Sequence, residues 1–257
     1  PQSSPAETAG SSSAGVVEEL HLGTTAANDT FTTFVESGAF GKMCYNSFVT
    51  APFWQTGPNG EVEPFLVADW TVSEDSTTIT CDLALNQDIT WHDGEPLTMD
   101  DVLFTFDYNI NVRKSSYSSY VDHAEQVDED TIKVVLKEPG AYQWLKLVAG
   151  YFYVQPKHIW ENIDAPKDYR GEDAVIGCGP YRFVRYDEAA QVSYYEAVDD
   201  YFMGEITVDT VSLHSYATHE ALAMALINGE IDVVYNYSVS LDPSLANLIK
   251  SSDNVAL

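Results

Sequence analysis

Apolar and polar positions along this chain fall into short segments with recognisable periods. Val16 to Leu22, V-V-E-E-L-H-L, reads as a first strand. Gly23 to Thr33 is polar and loop-like. Phe34 to Phe48 carries Phe, Val, Met and Tyr at helical spacing, interrupted by Gly38 and Gly41. P-F-W-Q-T-G-P-N-G-E-V-E-P then sets a turn at Pro58-Asn59-Gly60. Thr77 to Leu85 is a strand that follows the turn residues Ser73 to Ser76, and W-H-D-G-E-P makes a second tight turn. Thr98 is placed to cap a helix, with Asp100 and Asp101 in its first turn, where the helix dipole favours acids. Val102, Leu103, Phe106 and Ile110 form the apolar face of that helix.

Further on, Thr131 to Leu136 is a strand, Tyr142 to Val148 a short helix and Tyr151 to Val154 another strand. Gln155 to Gly171 is loop with a helical turn around Ile159. Gly177, Gly179 and Pro180 form a corner that few other residues could turn. Three strands follow, over Tyr181 to Asp187, Gln191 to Val198 and Thr207 to His214. His219 to Asn228 is a helix stopped by Gly229, Ile231 to Tyr235 a strand and Pro243 to Ile249 a last helix. The pattern is mixed α+β, without internal repeats.

Composition narrows the class. The 257 residues are 45% hydrophobic, enough for a real core. Forty acids against 12 bases give a net charge of −28. That balance argues against nucleic acid, which needs clustered Lys and Arg, and against an anionic membrane surface. Lys42 is the only base before Arg113, and Lys250 the only one after Arg185. The acidity reads as a solvated face, in salty surroundings or otherwise, with a field favouring cationic ligands as the sharper alternative. No run of about 20 apolar residues is present to span a bilayer. The opening P-Q-S-S-P-A-E-T-A-G-S-S-S-A-G, residues 1–15, is a flexible linker of the kind that stands behind a lipid-anchored cysteine.

Candidate chemistry is sparse. Asp100 and Asp101 point about 100° apart on a helix and read as dipole partners rather than an acid–base pair. His92-Asp93 lacks a local nucleophile. Cys178 stands between two glycines without a basic neighbour, so it reads as a small side chain filling a corner. His214 and His219 straddle a strand–helix junction, a weak zinc or nickel signal. Cys44, Cys81 and Cys178 allow at most one intramolecular disulfide, and buried free thiols are expected. With no activated nucleophile, base and orienter together, an enzyme is not expected. Sixteen tyrosines, eleven phenylalanines and five tryptophans suit a binding cleft. Of these, Tyr117, Tyr235, Tyr237 and Phe34 sit in loops where a ligand could be met.

Three ordered blocks carry a resemblance. They are A-D-W-T-V-S-E-D-S-T-T-I-T-C-D-L with W-H-D-G-E-P-L-T-M-D-D-V-L-F-T-F, then G-C-G-P-Y with D-Y-F-M-G, then A-L-A-M-A-L-I-N-G-E-I-D-V-V-Y-N. Together the chain resembles the family 5 extracellular solute-binding proteins, the oligopeptide, dipeptide and nickel receptors of ABC importers. The resemblance implies a type II periplasmic-binding-protein-like fold and its first lobe only, the second lobe being absent. Residues 16–44 and 166–257 would then form a discontinuous mixed-sheet domain, and 45–165 an inserted α+β domain. It implies a monomeric, lipid-anchored extracytoplasmic receptor, without cofactor, that hands an oligopeptide or similar solute to permease subunits. It places ligand contacts at Thr33, Phe34 and Val35, at Tyr117, and at Tyr235 and Asn236. Nickel, haem or another non-peptide solute is the alternative ligand, and a secreted hydrolase fragment using Cys178 the alternative class.

Overall fold

The computed structural model describes residues 17–26, 32, 34, 45–236, 242–252 and 255. The first strand, β1 (Val17–Thr24), runs from exposed to fully buried along its length. Beyond it the chain enters a middle segment with its own sheet. This holds a hairpin of β2 (Trp54–Thr56) and β3 (Val62–Pro64), then β4 (Val67–Val72) and β5 (Thr78–Leu83). Helix α1 (Met99–Tyr108), β6 (Val121–Gln126), β7 (Thr131–Leu136), α2 (Ala141–Val148) and α3 (Lys157–Trp160) complete it. The chain then returns with β8 (Tyr181–Asp187), β9 (Val192–Ala197), β10 (Val208–Ser215), α4 (His219–Asn228), β11 (Val233–Val234) and α5 (Pro243–Lys250).

Two main sheets result. In the five-stranded one the order is β11-β1-β10-β9-β8, with β1 parallel to β10 and β11 and the remaining pairs antiparallel. The other is antiparallel, in the order β4-β5-β7-β6. Apolar side chains of β5 and β7 alternate inward, and Val102 and Phe106 of α1 join them in a core with Phe53, Trp54, Trp91, Trp144 and Phe152. Under the five-stranded sheet, Leu22, Val211, Leu213 and Tyr195 pack with Phe48, Val49, Tyr108, Tyr153 and Trp160 from the middle segment.

Some expected elements differ. Tyr151 to Val154 makes one isolated bridge, Pro52 to Tyr153, rather than a strand. The expected strand from Ile231 to Tyr235 contracts to Val233–Val234. Strands β4 and β6 had no expectation. Both are sheet edges, where one flank needs no partner, and β6 (V-D-H-A-E-Q) is mostly exposed. At the start of α1, the Thr98 N–H donates to Asp101 Oδ2 (2.8 Å), and the Thr98 hydroxyl donates to the same carboxylate (3.0 Å). Asp101 Oδ1 also accepts the Lys157 N–H at 2.8 Å, so the cap ties α1 to α3.

The two sheets are fastened at the glycine corner. The Gly179 N–H donates to Val49 O (2.8 Å), and the His92 N–H donates to Gly177 O (2.8 Å). His92 Nε2 donates to Gly179 O at 3.0 Å, which fixes its tautomer. Space, rather than a left-handed backbone, requires the glycines. An added Cβ would lie 1.9 Å from Val49 O at Gly177 and 2.6 Å from the Val49 carbonyl carbon at Gly179. Neither glycine is among the residues with positive φ.

Candidate functional site

The segment that passes the glycine corner, from Asn46 to Phe53, also lines a groove on its other side. Its course is fixed by backbone pairing. The Phe53 N–H donates to Phe152 O (2.9 Å), and the Val67 N–H to Phe53 O (2.9 Å). Across the groove, the end of α2 is pinned to β2. The Gly150 N–H donates to Trp54 O (2.6 Å), and Thr56 Oγ1 donates to Ala149 O (3.0 Å). The third wall comes from Pro180 after the corner, Tyr201 in the turn after β9, and Tyr235 after β11.

The groove has a volume of about 650 Å³, within the range of small-ligand sites. Phe65, Tyr151, Tyr153, Tyr201 and Tyr235 give it an aromatic lining, and Pro52 and Pro180 add apolar surface. Asn46, Thr50, Gln55 and Thr56 supply polar groups, and Lys146 the charge. Among the described lining residues there is no carboxylate, imidazole or thiol. Thr50 is only 2% exposed, and its Oγ1 has no hydrogen-bond partner among the described residues. A buried hydroxyl left unpaired costs about 1–3 kcal/mol. Burial pushes the Tyr201 phenol well above its usual range, keeping it neutral.

The residues expected from sequence meet different fates. Tyr235 lines the groove, its ring 6.0 Å from that of Phe48 and its N–H donating to Gly23 O at 2.7 Å. Asn236 lies next to it, at the carboxyl ends of β1 and β11. Its Oδ1 accepts from Thr24 Oγ1 (2.8 Å) and the Thr25 N–H (3.0 Å), while its buried Nδ2 has no partner among the described residues. Phe34 is buried, edge-on to Trp160 at 5.3 Å and under the Arg113 guanidinium at 5.1 Å. Tyr117 is half-buried, edge-on to Phe152 at 5.7 Å, and its carbonyl accepts from Trp144 Nε1. Thr33, Val35 and Tyr237 lie outside the described residues, as does Cys44. Sequence reasoning missed Thr50, Lys146, Tyr151 and Tyr201 as groove residues; the only available signal was the D-Y-F-M-G block around Tyr201.

Among the described residues, the candidates for other chemistry are engaged elsewhere or buried. Cys178 is buried, and burial pushes its thiol up to about 12, far from a thiolate nucleophile at neutral pH. Cys81 is likewise a buried free thiol. Asp93 pairs with His158 at 2.9 Å rather than with His92. Asp100 pairs with Lys157 at 2.9 Å, apart from the buried Asp101. His214 Nε2 meets Ser212 Oγ at 3.1 Å, whereas His219 Nε2 meets Thr25 Oγ1 at 3.1 Å, so the two imidazoles serve different partners.

Comparisons with known proteins agree with this architecture. The profile of the bacterial extracellular solute-binding proteins, family 5, matches residues 61–254. A protein of Brucella ovis named for peptide binding in an ABC transporter is 32% identical over 177 residues, 66% of this chain and 32% of that protein. A protein of Agrobacterium fabrum, also named for peptide binding, is 29% identical over 162 residues, 58% of this chain and 26% of its own length. Among solved structures, the ABC transporter substrate-binding protein CtaP of Listeria monocytogenes has a TM-score of 0.77 at 27% identity, covering 92% of this chain and 47% of its own. The oligopeptide-binding protein AppA of Bacillus subtilis, solved with a nonapeptide, has a TM-score of 0.78 at 19% identity, covering 93% and 47%. The chain thus spans about half the length of these solved chains, one lobe of the type II periplasmic-binding-protein fold, and about a third or less of the curated relatives. By the profile match and the shared fold, this chain belongs to the bacterial extracellular solute-binding proteins of family 5.

Proposed function

We propose that this chain is the solute-capturing subunit of an ABC importer and that its ligand is a peptide held along the groove beside Thr50 and Tyr235. The observation that carries the reading is the groove itself, with aromatic walls and neutral amide and hydroxyl groups. Such a surface grips amphipathic side chains and offers hydrogen bonds to a main chain without demanding one sequence. The relatives named for peptide binding support the same class. A bare metal ion is less well served, because the described lining offers none of the imidazole, thiolate or carboxylate donors that nickel prefers.

The finer points follow from that reading. Residues 16–44 with 166–257, and 45–165, are the two units, meeting at the glycine corner. The groove is one wall of the site, the other belonging to the half of the solved chains that this chain does not cover. On the same reading, Asn236 and the other contacts implied by the resemblance, Thr33, Phe34, Val35, Tyr117 and Tyr237, also meet the ligand. The protein acts outside the cytoplasmic membrane, held there as a lipoprotein, and delivers its cargo to permease subunits as a monomer.

Native mass spectrometry of protein purified without refolding, with release of whatever it carries, tests the ligand class. A ladder of mixed peptides is expected. A single non-peptide mass, or a metal, would contradict the peptide reading.

A further inference from the structure

Lys146 is the charged side chain among the described residues that line the groove. The protein carries a net charge of −28, and four of its basic side chains, Lys133, Lys157, Arg182 and Arg185, lie within 4 Å of carboxylates. Lys146 lies in the last turn of α2 and has no ion pair or hydrogen bond among the described residues. The position is dictated by the helix. Ala141, Trp144, Leu145 and Val148 turn inward at helical spacing, which leaves Lys146 outward. Anchoring of Gly150 to Trp54 and of Ala149 to Thr56 then brings that outward face to the groove, beside Gln55 and Tyr151.

We propose that Lys146 is a specificity-determining residue that recognises a carboxylate of the bound solute, the free carboxyl terminus if the solute is a peptide. This rests on the groove being the ligand site. The surrounding charge makes the argument sharper. An anionic ligand approaching so acidic a protein is repelled at long range, and screening over roughly 10 Å removes only the distant part of that field. Close in, the described lining carries one ammonium group and no acid to neutralise it. A carboxylate brought into the groove therefore meets an exposed ammonium group with no acid beside it in the described lining, from which it can accept a charge-assisted hydrogen bond. A cationic group in the same place meets repulsion. A lysine in the last turn also favours the helix dipole, but that role touches stability alone and discriminates between no ligands.

The test is a calorimetric titration of the protein and of Lys146→Met with a pool of short peptides bearing free carboxyl termini and with the same pool amidated. The wild type is expected to bind the free-acid pool about five- to tenfold more tightly. Lys146→Met is expected to lose that preference with a melting temperature lowered only slightly, by the lost helix-dipole interaction, and Lys146→Arg to keep both the preference and the melting temperature. Equal binding of both pools by the wild type, or a preference that survives in Lys146→Met, overturns the role of Lys146 and leaves the peptide reading standing. Binding of neither pool overturns the peptide reading and this assignment with it.

Discussion

The segment from Asn46 to Phe53 has two sides, and they are built on opposite principles. On one side, Val49 meets Gly177 and Gly179 backbone to backbone, so closely that no side chain fits between them. Backbone groups at the junction are paired, among them Gly179 N–H, Gly177 O and Gly179 O. On the other side, Asn46, Thr50 and Pro52 face an open groove, and the Thr50 hydroxyl is unpaired among the described residues. Close packing and paired backbone groups make a fastener; an open groove lined by aromatic and neutral polar side chains makes a place for something else. The difference teaches where substitutions will be felt as stability and where as binding.

The largest effect should come from the fastener. Gly177→Ala places a Cβ against the Val49 carbonyl, which cannot move without shifting the segment. A loss of about 3 kcal/mol is expected, read by chemical denaturation, with peptide binding falling only as far as the folded fraction falls. Normal stability in this variant would mean that the corner is not the junction described here.

A smaller effect sharpens the same side. Burial holds the His92 imidazole below its ordinary range, so the folded chain binds its proton less readily than the unfolded chain. The stability this contributes is present above the unfolded value of about 6.5 and lost as pH falls below it toward the lower folded-state value. His214 is shifted in the same direction, by burial and then by His21. Denaturation curves from pH 7.5 to 5 should therefore show declining stability, with a shallower decline in His92→Gln, whose amide can still donate to Gly179 O. An identical slope in the variant would remove His92 from the account.

The sequence made one side of this segment far more legible than the other. The fastener lies in contiguous blocks, G-C-G-P-Y and W-H-D-G-E-P, so both the blocks and the family they resemble could be read directly. Their reason could not: the glycines suggested a turn, whereas the structure requires them for close approach to Val49. Central strands such as β5, β7, β9 and β10 declared themselves because both flanks are paired and their apolar positions repeat. The edge strands β4 and β6 did not, since solvent tolerates Asp122, His123 and Glu125 on such a strand. The groove was nearly invisible. Thr50, Lys146, Tyr201 and Tyr235 are far apart in the chain and become neighbours only through the fold, and of these only Tyr235 was anticipated, from its place after β11.

One substitution separates the two sides most directly. Thr50→Val keeps the shape of the side chain and removes the unpaired hydroxyl from a residue that is 2% exposed. Thermal unfolding and calorimetric titration with a pool of free-acid peptides should be measured on this variant and the wild type together. A melting temperature that is unchanged or slightly raised is expected, because no hydrogen bond among the described residues is lost, with affinity reduced about tenfold. Unchanged affinity, or a fall in melting temperature with binding intact, would show that Thr50 serves the fold and that the ligand lies elsewhere.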